Sequence, residues 1–451
     1  MRSLLRRALL ASIPLLLLGG CGGGGGGDDG TPPPLSCSLA DQKTWLKGYM
    51  DDWYFWYSLM PSVNAASYSS IDGYFEALLY PGGNAAFPAD RWSYTQSTAE
   101  YDRFYGDGQT LGYGLFVAGL EVEGHPDQPL RVRYIEPLSP AAAAGIVRGD
   151  TIVSINGRTS AEIITANDYS MLTPNAAGDT LHLVVSHAGV TRSVDVVAAI
   201  YALKPLPTSG IVTSPSGRKM GYLVLKDFLS QALGPMDTAF TQFKAAGAGE
   251  LVLDLRYNGG GLVSVASALG SYVAGPSRDG QIFASLLYND KHQGSNSISR
   301  FANYTSALGV SRVFVLSGQR TCSASELVVN GLRPFVNVVL VGDTTCGKPV
   351  GFIPESSCGT TFSAVNFETA NANNEGRYFD GFNPSSTCSL ADDLDHPLGD
   401  ANEALLQGAR LYADFGSCGG TAATRETAQA VRSRSTRGAV EPGEHRGMID
   451  R

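Results

Sequence analysis

The sequence predicts a mixed α/β protein built of three folded units behind an export leader. Residues 37–106 carry aromatic side chains at helical spacing, residues 107–205 are short β-rich runs broken by turn signals, and residues 206–418 alternate strands with helices. At 451 residues the chain is too long for a single compact core. A hydrophobic content of 43% with 17% charged residues is that of a soluble globular protein. The net charge of -9 argues against nucleic acid as a partner, because phosphate binding needs clustered Lys and Arg.

The leader is residues 1–20. Arg2, Arg6 and Arg7 form a basic start, and the apolar run from Ala8 to Leu18 has secretory-signal length, too short for a mature membrane span. It ends in Leu18-Gly19-Gly20-Cys21, which resembles a bacterial lipobox and implies that Cys21 carries a lipid anchor. Residues 21–36, rich in Gly and Pro, form a tether. Gly22 in the next position, by the same resemblance, implies the outer membrane, facing the periplasm or the exterior. Six further cysteines, Cys37, Cys322, Cys346, Cys358, Cys388 and Cys418, read as up to three disulfides in an exported chain, with the pairing open. No Cys/His spacing or HExxH motif points to a metal, and no cofactor is implied.

In the helical unit, Trp45, Leu46, Met50, Trp53, Tyr54, Trp56 and Tyr57 read as a packing stripe, and "SIDGYFEALLY" as a second helix. In the β-rich unit, "LSPAAAAGIVRGD" is a short helix opened near Pro140 and closed near Gly145, followed by "GDTIVSINGRT" as strand and turn. Together with Gly112-Tyr113-Gly114-Leu115 as a carboxylate-binding loop, these segments resemble a bacterial, permuted PDZ domain. The resemblance implies capture of a free peptide C-terminus along a strand edge; the bland reading is a module that only braces its neighbour.

Across residues 206–418, apolar runs such as "LVLDL" and "VNVVLVG" read as buried parallel strands. Two strand ends stand out. "LDLRYNGGG" runs into Asn258-Gly259-Gly260-Gly261, where bare backbone N–H groups form an anion cradle or simply a tight turn. "RVFVLSG" leads to Ser323-Ala324-Ser325-Glu326, which matches the S-x-x-E capping box. Lys348 follows Ser323 by 25 residues, just beyond the next strand, so an adjacent parallel strand returns both to one sheet edge. A serine nucleophile needs such a base, and a lysine serves as one when burial keeps it neutral. No G-x-S-x-G and no suitably placed histidine offers an alternative.

"LDLRYNGGG", "SASE" and "GKPVG", in this order behind a PDZ-like unit, resemble the C-terminal processing, or tail-specific, serine peptidases over roughly residues 37–418. The resemblance implies a crotonase-like α/β core with an inserted PDZ domain and a small N-terminal helical domain. It maps the nucleophile to Ser323, its base to Lys348, and the oxyanion donors to the N–H groups of Ala324 and Gly260, with Gly259 as the other candidate. Many members carry a glutamine four residues after the lysine and some an aspartate eleven after the serine; here stand Phe352 and Pro334. A Cys322–Cys346 disulfide would brace the pair, unless each pairs elsewhere. The expected function is a membrane-anchored endopeptidase acting on exported proteins or peptides with free C-termini. The other class is a non-catalytic peptide-binding lipoprotein on a decayed scaffold. Residues 419–451, poor in apolar anchors, are expected to be disordered.

Overall fold

The computed structural model describes residue 34 and residues 36–419 and 447–450. The expected leader, Cys21 and most of the tether lie outside the described residues. In the N-terminal unit, Ser38 caps the helix Leu39–Trp53 and Ser70 caps Ile71–Leu78. Trp45, Leu46, Met50, Trp53, Tyr54 and Trp56 are buried, and they pack in one cluster with Phe352 and Phe362 from the far end of the chain. This unit is therefore an extension of the large core rather than a core of its own. Its strand Tyr94–Ser97 pairs antiparallel with Thr360–Ser363, and the Cys37–Cys358 disulfide closes the same seam.

The β-rich unit does own a core, built from Leu115, Val117, Val132, Ile152, Leu183 and their neighbours. Its strands run in the spatial order Leu115–Val117, Leu130–Ile135, Thr151–Ile155, Thr180–His187, Val190–Val197, all antiparallel. The helix Pro140–Ala143 starts on Ser139, whose hydroxyl accepts from Ala142 N. A second helix, Ser160–Ala166, begins with a complete Thr159–Glu162 capping box.

The large domain centres on a five-stranded sheet ordered Thr208–Thr213, Lys219–Val224, Glu250–Asp254, Arg312–Ser317, Asn337–Gly342. The first pair is antiparallel and the remaining pairs are parallel. Alternate side chains serve two cores: Leu251, Leu253, Val313 and Val315 face one, while Val252, Phe314, Leu316 and Leu406 of the helix Ala404–Phe415 meet in the other. The sequence reading has no counterpart for a second, six-stranded sheet, in which Gly261–Leu262, Met448–Ile449, Val350–Phe352, Val365–Ala370, Ile282–Tyr288 and Ser297–Arg300 lie side by side. Its members are short or mixed in polarity, so no apolar run announces them. The second strand of that sheet also corrects the expectation for the tail: Met448 and Ile449 are fully buried in a β-ladder rather than disordered. The rest of the expected disordered segment, residues 420–446, lies outside the described residues.

Candidate active site

Parallel pairing of Arg312–Ser317 with Asn337–Gly342, in register from Arg312 opposite Asn337 to Ser317 opposite Gly342, brings both chain exits to one edge. Ser323 leaves the first exit and Lys348 the second. The disulfide Cys322–Cys346 ties the two loops, with Cα atoms 5.2 Å apart. Cys346 N also donates to Thr321 O at 3.0 Å.

Ser323 stands in the N-cap position of the helix Ala324–Leu332, yet its backbone is at φ 63, ψ -115 rather than extended. A non-glycine residue there is strained, by about 1–3 kcal/mol. The pair keeps the placement of a capping box, with Glu326 on the Ser323 amide, but Ser323 Oγ is buried and no donor reaches it with hydrogen-bond geometry. The capping explanation thus accounts for Glu326 and not for the serine hydroxyl.

Glu326 is the residue whose role the sequence pattern understated. Fully buried, its carboxylate accepts from Ser323 N (3.0 Å), Lys348 N (2.8 Å), Gly347 N (2.8 Å) and Thr345 Oγ1 (2.5 Å). Burial pushes its carboxyl above the usual range, while these four donors oppose the shift. One side chain therefore fixes the backbone on both sides of the serine–lysine pair. No four-residue motif could reveal the reach to residues 345–348, which is tertiary.

Lys348 is fully buried, and its Nζ sits 3.9 Å from the centre of the Phe352 ring. Phe352, standing where a glutamine was expected, thus packs directly against the amine. The Cys322–Glu326–Cys346 group has metal-like spacing, but both sulfurs are spent in the disulfide and offer no thiolate.

The glycine turn is stitched onto the serine loop. Cys322 N and Ser325 Oγ both donate to Asn258 O at 3.0 Å, and Asn258 Nδ2 holds Leu225 O at 2.8 Å. A β-carbon on Gly260 would meet Ser323 Cβ at 2.9 Å and Ala324 N at 3.1 Å, so the turn reaches Ser323 only because it lacks a side chain. The N–H of Gly260 is donated to Asn258 Oδ1 at 2.8 Å, whereas the N–H of Gly261 donates to Gly447 O at 2.5 Å. Of the two amides, Gly260's is thus spent inside the turn and Gly261's is directed at residue 447. Which amide points outward depends on backbone dihedrals that a run of three glycines does not disclose.

In the β-rich unit, Gly112 ends the strand Gln109–Gly112, and Leu115 opens the outermost strand of its sheet. The carbonyls of Tyr113 and Gly114 are tied inward by Ala141 N (2.9 Å) and Glu136 N (3.0 Å). This unit also touches the glycine turn through charge. Arg148 pairs with Asp392 at 2.7 Å and with the hydroxyl of Tyr257, next to Asn258. Asp392 also pairs with Arg256, which is itself bound to Asp254 and Glu403. Burial raises the Asp392 carboxyl, but Arg148 and Arg256 outweigh it and hold the group well below its ordinary range.

Residues 219–368 match the sequence profile of peptidase family S41, residues 41–94 that of the S41 N-terminal domain, and residues 131–186 that of a PDZ domain. The chain is 30% identical over 236 residues to the carboxyl-terminal-processing protease of Picosynechococcus, covering 51% of this chain and 53% of that one. It is 25% identical over 301 residues to the carboxy-terminal processing protease CtpA of Bacillus subtilis, covering 66% and 62% respectively. The chain thus spans only about half to three-fifths of these curated relatives. A crystal structure described as an S41 protease from Bacteroides fragilis superposes with a TM-score of 0.63 at 28% identity, covering 82% of this chain and 97% of that one. The photosystem II D1 C-terminal processing protease shares the fold, with a TM-score of 0.51 at 20% identity over 79% of this chain and 94% of that one.

Proposed function

From the premise that this chain belongs to peptidase family S41 and carries a PDZ domain, we propose that it is a serine endopeptidase in which Lys348 is the general base for Ser323. The observation that carries this reading is the Ser323 hydroxyl, buried and left without a hydrogen-bond partner on a residue of positive φ. Strain of this kind collects where a side chain must be presented to a reactant. Ser323 Oγ attacks a peptide carbonyl carbon while neutral Lys348 takes the hydroxyl proton. The tetrahedral oxyanion is met by the N–H of Ala324, at the first turn of its helix, and by the glycine turn through Gly261. Lys348 then returns the proton to the leaving amine, and water resolves the acyl-enzyme by the same route.

The surroundings of the lysine bear on a second reading. Lys348 is fully buried, and the Phe352 ring lies 3.9 Å from its Nζ. Phe352 and Pro334, standing where many or some family members carry a glutamine and an aspartate, support the alternative, a peptide-binding protein on a silent scaffold. Substrates in the catalytic reading are exported proteins or peptides whose free C-termini dock on the Gly112-Tyr113-Gly114-Leu115 edge. Lipid attachment at Cys21 would hold the enzyme in the cell envelope, and Cys21→Ser should then move it from the membrane to the soluble fraction. The catalytic reading is tested on an unfolded model protein: Ser323→Ala and Lys348→Ala should each lose at least about a hundredfold in kcat/KM. Full activity in either variant, or none in the parent, favours the binding protein.

A further inference from the structure

The segment of the chain at residues 447–450 lies in the active-site groove as a strand. Met448 stands opposite Gly261 and Ile449 opposite Leu262, in parallel, while Ile449 pairs on its other side with Phe352. Asp450 N donates to Phe352 O at 3.1 Å. One wall of this groove is the glycine turn and the other is the strand that follows Lys348, so the segment threads between the two halves of the catalytic arrangement. Both walls are bare where its backbone passes. A β-carbon on Gly260 would strike Gly447 O at 2.1 Å, and one on Gly351 would strike Met448 O at 2.7 Å. Backbone-to-backbone contact of this kind is how an extended peptide is added to a sheet.

The carbonyl that lies at the nucleophile is Gly447's. It takes the Gly261 N–H at 2.5 Å, and the same Gly260 β-carbon position that it crowds lies 2.9 Å from Ser323 Cβ and 3.1 Å from Ala324 N. Beside it, the Ser323 hydroxyl is buried and uncommitted. Residue 447 is itself a glycine in a tight place, since a β-carbon there would meet the Tyr105 hydroxyl at 2.5 Å. Downstream, Met448 and Ile449 are fully buried.

We propose that the chain is its own substrate, cut by Ser323 between Gly447 and Met448. This rests on the serine peptidase reading and adds a defined bond to it. Ser323 Oγ bonds to the Gly447 carbonyl carbon as Lys348 accepts its proton. The Gly447–Met448 C–N bond breaks, the proton passes to the Met448 nitrogen, and everything from Met448 onward leaves. Water then hydrolyses the Gly447 ester, leaving a Gly447 carboxylate and a free Ser323. While the bond is intact, the segment fills the groove that external substrates need; its loss opens the groove. The bond also describes the preferred substrate: an extended segment with glycine before the cut and two apolar residues after it.

The experiment compares intact masses of the purified full chain, Ser323→Ala and Gly447→Val, with each preparation also assayed on an unfolded model protein. The proposal expects the parent to end at Gly447, both variants to keep residue 448 onward, and Gly447→Val to retain Ser323-dependent activity once the model protein is in excess. A parent that digests the model protein yet keeps the Gly447–Met448 bond overturns self-processing and leaves the peptidase reading standing. A Ser323→Ala chain that also ends at Gly447 overturns it too, because another enzyme made the cut. A parent that digests nothing and keeps the bond overturns both.

Discussion

At Ser97–Glu100 and at Thr159–Glu162 the S/T-x-x-E pattern closes a complete capping box: the hydroxyl accepts from the third helical amide and the glutamate returns to the cap. Both caps have an ordinary extended backbone, at φ -67 and φ -71. At Ser323–Glu326 the same four-residue pattern has φ 63, a hydroxyl with no partner, and a glutamate shared with a second loop. The two exposed boxes spend both side chains on ending a helix. The buried one spends only the glutamate, and holds the serine in reserve. What distinguishes them is the surroundings: the disulfide and the glycine turn fix Ser323 in a conformation that isolated sequence would not adopt.

The largest way to break this contrast is at the glutamates. Glu326→Ala orphans three buried backbone N–H groups, at about 1–3 kcal/mol each and less than additively, and loosens both Ser323 and Lys348. Unfolding by denaturant should show a loss of several kcal/mol, below about three times the per-group cost. Activity should fall by roughly a hundredfold, as a misplacement near 1 Å produces. Glu100→Ala and Glu162→Ala should leave activity unchanged.

Next in size is the clamp. Replacing Cys322 and Cys346 together by alanine should cost about 3 kcal/mol of stability, from a loop of 24 residues' separation. Activity should fall more steeply than after the same replacement of Cys388 and Cys418, whose disulfide bridges the loop before the helix Ala404–Phe415 to the segment after it, away from the serine loop. Equal losses in the two double variants would mean that the first disulfide only stabilises.

The smallest effect is one of pH, and its sign differs between the boxes. Hydrogen bonds from Thr159 hold the Glu162 carboxyl below its usual 4.5, so its contribution to stability is present above that value and is lost as pH falls. Burial holds Glu326 above 4.5, so its contribution is full below 4.5 and declines as pH rises through its folded value. The stability gap between the parent and Glu162→Gln should therefore widen on going from acid to neutral pH, while the gap to Glu326→Gln narrows. Parallel trends would contradict the different environments assigned to the two carboxylates.

Much of the site was legible because its parts are local. A strand, a serine at a helix start and a lysine one strand later can be read from periodicity and spacing, and the two strands do pair in parallel, Ser317 opposite Gly342. The sign of φ at Ser323 was not legible, since four residues that fit a capping box describe both outcomes. That Asn258 Oδ1 takes the Gly260 N–H was equally hidden in a run of three glycines. Pairing of Met448–Ile449 was invisible because strand addition uses backbone atoms, about which a polar, glycine-containing tail is silent. The even cysteine count allowed three disulfides, but only folding selected Cys37–Cys358 across 321 residues.

The most direct measurement is a matched pair, Ser97→Ala and Ser323→Ala, each assayed for kcat/KM and for thermal unfolding. Loss of a working cap costs about 1 kcal/mol, so Ser97→Ala should unfold earlier with its activity intact. Ser323→Ala should lose activity by at least about a hundredfold with no such loss of stability, since its hydroxyl caps nothing. A Ser323→Ala protein that keeps its activity and unfolds earlier, as Ser97→Ala does, would contradict the account.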